Sequence, residues 1–214
     1  MVERVTDNDE VVGPIPTPPT FIASKIRDTL FEVLFIRAML ELLRALWMFF
    51  VGGLVLVEVV GYIWHRTAEH LGLVGDGIRY RHWVHHELDY PTDNLRPKNV
   101  VKYKSAGSWS WYVLALSVIG LAFILLPIRD AVPLTIGGAL YAYFVVNYFH
   151  EAFHVDNHWL NRFEWFKRLV KLHDIHHWAA CNYGIVFFGM DRLLGTLREE
   201  TPTQKEEIFP GLSL

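Results

Sequence analysis

The sequence has little cysteine, little net charge and no recognisable leader. The single cysteine, Cys181, excludes a disulfide framework and a thiolate zinc site. A formal net charge of −3 provides no basic surface, so we expect no nucleic-acid partner. The N-terminal segment is acidic and Pro-rich and lacks the basic and apolar regions of a signal peptide. We expect residues 1–21 to form a mobile Pro-rich tail and residues 22–214 to form one domain.

Long uncharged apolar runs are abundant. A bilayer core needs about 20 apolar residues of helix, and residues 108–128 and 131–149 supply that length without a charge. Residues 45–64 supply it with one charge, Glu58. The alternative, a very apolar soluble helical core, rarely contains two uncharged runs of this length. The sequence therefore predicts an all-α integral membrane helical bundle with three clear spanning helices.

The stretch before the first predicted span has a different composition. Residues 22–44 are apolar but carry seven charged side chains. Arg37 and Glu41 lie four residues apart and can pair on one face of a helix. This pattern favours an amphipathic or partly inserted N-terminal helix over a plain spanning helix.

The distribution of basic residues predicts the orientation in the membrane. Segments 65–107 and 150–214 hold seven Lys or Arg each, whereas the short turn between the last two spans holds only Arg129. Because loops rich in Lys and Arg stay on the cytoplasmic side, both segments should form a cytoplasmic helical cap. All eleven histidines lie in these two segments.

The spacing of the histidines indicates that their side chains act together. H-x-x-H-H occurs at 82–86 and 173–177, and H-x-x-x-H occurs at 150–154. An α-helix places each of these sets on one face. His65 and His70 are five residues apart and would diverge on a regular α-helix. That spacing indicates a helix end near His65 or ligands for different metals.

A metal site explains these clusters better than structural histidines do. One H-x-x-H-H would be weak evidence, but four clusters flank membrane segments and lie on one side. Imidazole binds Fe, Zn, Cu and Ni, and ten nitrogens exceed the six ligands of one octahedral ion. His158 stands apart, and we interpret it as structural. The sequence predicts a His-rich di-metal site with these ligands: His65, His70, His82, His85, His86, His150, His154, His173, His176 and His177.

Carboxylates near the histidines are candidates for orienting the rings and offsetting the metal charge. Glu58 lies seven residues before His65 and on about the same helix face. Glu151, Asp174 and Asp191 are further candidates, whereas Glu69 is interpreted as part of the solvated cap surface. The aromatic residues in 178–189 line an acyl entrance or pack inside the cap, and the sequence leaves both readings open.

Four motifs resemble those of a known family: GYIWHRTAEH, RHWVHH, FHEAFH and KLHDIHHWAACNYGIVFFGMDRLLGT. Over roughly residues 55–200 the sequence is similar to the fatty acid hydroxylase and sterol desaturase superfamily of membrane di-metal oxygenases. The pattern is most similar to the fatty acid 2-hydroxylase branch. Carotenoid hydroxylases share His boxes, but their motifs fit less well.

The resemblance implies an O2-dependent di-iron oxidoreductase that hydroxylates an unactivated C–H bond of a fatty acyl, sphingolipid or sterol-like lipid. It implies two iron ions, which zinc can replace on purification, and no catalytic residue beyond the metal ligands. The family usually has four spanning helices, one more than the clear runs here. Some lipid hydroxylases carry a fused heme-binding domain that this sequence lacks, so electrons should come from a separate electron-transfer protein.

Two further functions compete with lipid hydroxylation. A lipid desaturase shares the first oxidative step, and the His boxes do not separate the two reactions. A non-catalytic membrane metal-binding or transport protein would place polar ligands through the bilayer midplane. Here the apolar runs contain little polarity besides Glu58 and Asn147, and the histidines gather at one end. That distribution favours the enzyme.

Overall fold

The computed structural model describes residues 19–98 and 103–212. All regular structure in these ranges is helical, which confirms the all-α prediction. Residues 1–18 of the predicted tail lie outside the described residues. The α-helices are α1 (Pro19–Trp47), α2 (Gly53–Trp64), α3 (Asp76–Val84), α4 (Ser110–Leu125), α5 (Ile128–Leu140), α6 (Asn147–Phe153), α7 (Glu164–Trp178) and α8 (Gly189–Leu194).

Wider helical turns join several of these helices. In a π-helix each N–H bonds to the carbonyl five residues earlier, which changes the face on which the following side chains lie. One short 3₁₀ helix, Trp159–Arg162, precedes α7. The π-helical segments are Met48–Gly52, His65–His70, His85–Asp89 and Tyr141–Val146.

Two helical stretches are long and apolar enough to cross a membrane, Ala23–His70 with 48 residues and Ile128–Phe153 with 26. The first joins the predicted N-terminal helix and the predicted first span into one stretch. α4 is apolar but has only 16 residues, fewer than the predicted run 108–128. The chain divides into two compact units, Met1–Leu43 and Arg44–Leu214.

The helices of the larger unit pack through glycine. A Cβ added to Gly137 would lie 2.0 Å from the carbonyl oxygen of Phe49, and one added to Gly53 would lie 2.5 Å from the Gly138 nitrogen. The backbones of α2 and α5 are therefore in direct contact. Small residues at helix crossings allow this approach in membrane proteins, where van der Waals packing drives helix association.

α4 and the stretch Ile128–Phe153 form a hairpin whose two outer ends lie at the histidines. Trp111, at the start of α4, donates its indole N–H to Glu69 at 2.7 Å. The chain turns at Leu126–Pro127, and the stretch Ile128–Phe153 then returns to His150. At the opposite end, Arg44 pairs with Asp130. The hairpin thus brings the two cap segments to the same end of the bundle.

Candidate metal centre

The turn His65–His70 is π-helical, and a π-helix places residues five apart on one side. The Leu71 N–H donates to the Arg66 carbonyl at 3.0 Å, a bond between residues five apart. The wider turn places His65 and His70 on one side, and their Nε2 atoms lie 3.2 Å apart. The α-helix α2 ends at Trp64, which confirms the predicted helix end near His65, and the π-turn that follows brings the two rings together.

A first group of buried imidazoles gathers at this turn. His82 and His86 come from the end of α3 and the π-turn after it, and His176 comes from the last turn of α7. The Nε2 of His82 lies 2.9 Å from that of His65 and 3.0 Å from that of His86. One ligand atom from each member lies within 4.8 Å of all the others, and the members are His65, His70, His82, His86 and His176.

Backbone carbonyls fix which nitrogen of these rings faces inward. The Nδ1–H of His65 donates to the Tyr183 carbonyl at 2.8 Å, and that of His176 donates to the Cys181 carbonyl at 2.8 Å. The Nδ1–H of His70 donates to the Ile208 carbonyl at 3.0 Å. A neutral imidazole has one N–H, so the Nε2 atoms of these rings carry lone pairs.

Lone pairs that face each other at this distance call for a cation between them. In the neutral rings of His65 and His70 the only N–H donates to a carbonyl. Their Nε2 atoms, 3.2 Å apart, therefore cannot hydrogen-bond to each other. Imidazole nitrogen lies about 2.1 Å from a bound metal, so adjacent corners of an octahedron are about 3.0 Å apart. The Nε2 separations of 2.9–3.2 Å match that edge.

A second group lies beside the first. Two of its members are oriented by carbonyls in the same way: the Nδ1–H of His85 donates to the Lys104 carbonyl at 3.3 Å, and that of His154 donates to the Leu95 carbonyl at 3.0 Å. The Tyr103 hydroxyl forms a hydrogen bond with His150 Nδ1 at 2.9 Å. The Nε2 atoms of His85 and His154 are buried with no hydrogen-bond partner among the described residues. The members are His85, His150, His154 and His173.

The sequence model of the fatty acid hydroxylase family matches residues 50–196. The chain belongs to this family. The match confirms the resemblance drawn from the His motifs and covers every predicted ligand. Searches of the curated proteins and of the solved structures found no match. Together with the two apolar helical stretches, the family indicates an integral membrane oxidoreductase.

The two H-x-x-H-H motifs of this family member each contribute to both groups. His82 and His86 lie in the first group and His85 in the second, while His176 lies in the first and His173 in the second. His177 belongs to neither as the rings stand. Its ring stacks on His86 with centroids 4.0 Å apart and lies 5.1 Å from His154, between the groups. Ligation by the ten histidines stays a prediction.

His158 lies outside both groups. Its Nδ1 accepts the Leu160 N–H at 3.3 Å and so caps the short 3₁₀ helix. Its ring contacts Tyr148, with centroids 5.5 Å apart. These contacts agree with the structural role expected from the sequence.

The carboxylates take roles that differ from those expected. Glu69 is only 2% exposed, with Oε2 3.7 Å from His82 Nδ1, so its assignment to the solvated surface is wrong. Glu58 accepts the Tyr141 hydroxyl at 2.6 Å and the Phe187 N–H at 3.3 Å, and thus joins α2 to other elements rather than to His65. Asp174 pairs with Arg96 at 2.6 Å. Glu151 is exposed.

Asp191 holds the loop that supports the first group. It accepts the N–H groups of Tyr183 at 2.7 Å and Gly184 at 2.6 Å, and the Thr196 hydroxyl at 2.7 Å. The Tyr183 carbonyl in turn accepts from His65. Most of the stretch 178–189 is buried, and its carbonyls orient ligand rings. The motif N-Y-G followed by M-D-R marked this loop in the sequence.

Burial keeps the clustered rings neutral, which is the form that binds a metal. The pKa of each clustered histidine outside the apolar helical stretches lies well below its ordinary value. Desolvation is the largest cause, and neighbouring imidazoles are the second. This holds for His82, His85, His86, His154, His173, His176 and His177.

Proposed function

We propose that this protein is a membrane di-iron oxygenase that hydroxylates an unactivated C–H bond of a lipid. One observation carries the proposal. Two adjacent groups of buried or half-buried imidazoles, five of whose rings donate Nδ1–H to backbone carbonyls, lie where two apolar helical stretches end. Family membership supplies the reaction class, because the matched family is that of the fatty acid hydroxylases.

The ten predicted histidines would hold two iron ions, and the set includes His177, which lies between the two groups. The donor set consists of neutral imidazoles, which suit iron and also accept zinc during purification. When bound in the reduced state, such a pair supplies the activation of O2 and the removal of hydrogen from carbon. The chain's own part is to orient each Nε2 and to exclude water.

The membrane arrangement that we propose has three spans with the metal site on the cytoplasmic face. The helical rise from Arg44 to His65 is about 30 Å at 1.5 Å per residue, which equals the thickness of a bilayer core. Arg44 and its partner Asp130 would then lie at one boundary and the first histidine at the other. The basic segments at the histidine end support the cytoplasmic assignment.

An apolar groove on the bundle surface favours a lipid acyl chain as the substrate. This apolar groove opens between α2, α4 and α5, and Leu56, Trp111 and Ala142 are among its lining residues. Trp111 closes the end nearest the site, where its indole contacts Glu69 beside His82. An acyl chain in this groove would enter from the bilayer and direct its oxidised end toward the metals.

The remaining partners follow from the reaction. Each turnover needs electrons, which we assign to a separate electron-transfer protein that docks on the cap. No nucleic acid takes part. A lipid desaturase of the same superfamily is the alternative, since both reactions begin by removing hydrogen from carbon. A metal transporter is less favoured, because both groups lie at one end of the bundle.

Product analysis tests this function. The protein should be expressed with defined lipids in a host that lacks this activity, and lipids should be examined by mass spectrometry. Hydroxylated lipid, absent from a His85→Ala variant that still folds, is the expected result. The His158→Ala variant is the matched control and should stay active. A new double bond would favour the desaturase, and no oxidised lipid from iron-loaded protein with a working electron donor would refute the proposal.

A further inference from the structure

The C-terminal segment 205–212 lies against the first group of histidines. Ile208 is 2% exposed and Phe209 is 7% exposed, although the segment has no regular secondary structure. The family match ends at residue 196, so this segment lies outside the matched residues. Nothing in the His-box motifs predicts its position.

Two contacts join the segment to ligand rings. The Ile208 carbonyl accepts the Nδ1–H of His70 at 3.0 Å, which leaves Nε2 of that ring facing the other imidazoles. The Phe209 ring stacks on His70 with centroids 5.0 Å apart and planes at 13°. The same ring meets His86 edge-on, with centroids 5.4 Å apart. One dipeptide therefore orients one ring and covers others.

Three anchors hold this segment to the cap. Arg79 is 4% exposed and donates to the Pro210 carbonyl at 2.9 Å. The Glu206 N–H donates to the Trp178 carbonyl at 2.8 Å, at the end of α7. Lys205 pairs with Glu87 at 2.5 Å, in the π-turn that follows α3. The segment is thus tied to α3, to the turn after it and to α7, all of which carry ligands.

The second group has a different covering residue. The Tyr90 ring stacks on His154 with centroids 3.9 Å apart, and it also lies 5.0 Å from His85. No ring contact of Phe209 with the second group occurs among the described residues. The cover formed by segment 205–212 therefore acts on the first group alone.

We infer that segment 205–212 is a cover that positions His70 and retains the first metal ion. The inference rests on the proposed metal pair and adds a residue outside the His boxes, Phe209, as a positioning residue. Loss of the ring would expose the first group to water and remove the surface on which the His70 ring stacks. Outer contacts of this kind are worth about 10–100-fold in metal affinity.

The test is the rate at which a chelator removes metal from full-length protein loaded with Co²⁺ or Zn²⁺. In Phe209→Ala, one of the two ions should leave at least 10-fold faster and the other at the wild-type rate. Phe163→Ala, which removes a half-exposed ring elsewhere on the cap, should leave both rates unchanged. Phe209→Trp should restore slow release because it keeps an aromatic ring over His70.

To identify which ion is released faster, two histidines of one group are replaced so that a single ion remains. In a His85→Ala/His154→Ala background the single remaining ion should be released faster when Phe209→Ala is added. In a His70→Ala/His82→Ala background the same addition should have no effect. If Phe209→Ala does not fold, Arg79→Gln loosens the same segment and should give the same single-ion effect.

Two results would overturn the inference: wild-type release of both ions from Phe209→Ala, or equal acceleration of both. Neither result bears on the proposed function, which fails separately if wild-type protein binds fewer than two ions. That stoichiometry is measured on the same samples before the chelator is added.

Discussion

Asp191→Asn is expected to weaken both the fold and the first metal group. One carboxylate oxygen accepts the Tyr183 N–H and the Thr196 hydroxyl, and the other accepts the Gly184 N–H. Asparagine keeps one acceptor oxygen and turns an NH₂ group toward the remaining N–H. The variant loses a charge-assisted hydrogen bond, worth about 1.5–3 kcal/mol, and buries an unpaired donor, which costs about 1–3 kcal/mol. Together these effects should lower the free energy of unfolding by roughly 3 kcal/mol or more.

The loop that shifts carries the Tyr183 carbonyl, so the effect should reach His65. Metal affinity should fall by about 10–100-fold, as for other losses around metal ligands. Thermal denaturation in detergent and chelator competition measure the two effects. Asp156→Asn, at an exposed position, is the matched control and should change stability by less than about 0.5 kcal/mol. An Asp191→Asn protein with wild-type melting temperature and metal affinity would refute this reasoning.

Three further predictions concern packing, the groove and pH. Gly137→Ala should destabilise the protein by about 1–3 kcal/mol, because the added Cβ would lie 2.0 Å from a backbone oxygen. Gly120→Ala, where the added Cβ meets no atom within 4 Å, is the control and should be neutral or stabilising in the same denaturation assay. Ala142→Phe should fill the groove and reduce oxidation of long acyl chains more than short ones in product analysis, and the lipid-facing variant Leu116→Phe should not. Metal-free protein should lose stability as pH falls below about 6.5, because histidines of the unfolded chain bind protons there, whereas the buried rings, whose pKa is lowered, stay neutral. An unchanged melting temperature between about pH 8 and pH 5.5 would contradict this.

The helices and the His clusters were predictable because they depend on local pattern. Uncharged runs predict apolar helices, and the H-x-x-H-H motif at 173–177 lies on a regular α-helix, where its spacing has the expected geometry. The same rule failed for His65 and His70. Helix propensity does not distinguish a π-turn from an α-helical turn, so the i, i+5 geometry that unites these rings was not predictable from spacing.

Long-range contacts account for the other misses. Glu69 was assigned to the surface because Glu is seldom fully buried, yet Trp111, which lies 42 positions later on α4, covers and hydrogen-bonds it. Phe209 lies beyond the motifs and contacts a ring 139 positions earlier. An isolated aromatic residue in a polar C-terminal segment carries no periodic signal, so only the tertiary structure identifies it.

Because main-chain carbonyls orient the rings of the first group, the positions at which substitution weakens metal binding should not be the residues that carry those carbonyls. The His rings of the first group that donate Nδ1–H do so to neutral main-chain oxygens, at Tyr183, Cys181 and Ile208. Substituting those residues leaves the carbonyls in place, so side-chain scanning at these positions would understate their importance. The carbonyls move only when their loops move. Asp191 fixes one loop and Arg79 fixes the C-terminal segment, and neither touches a ligand ring by hydrogen bond. We therefore expect substitutions at these two anchors to weaken metal binding more than substitutions at Tyr183, Cys181 or Ile208, whose carbonyls accept from the rings.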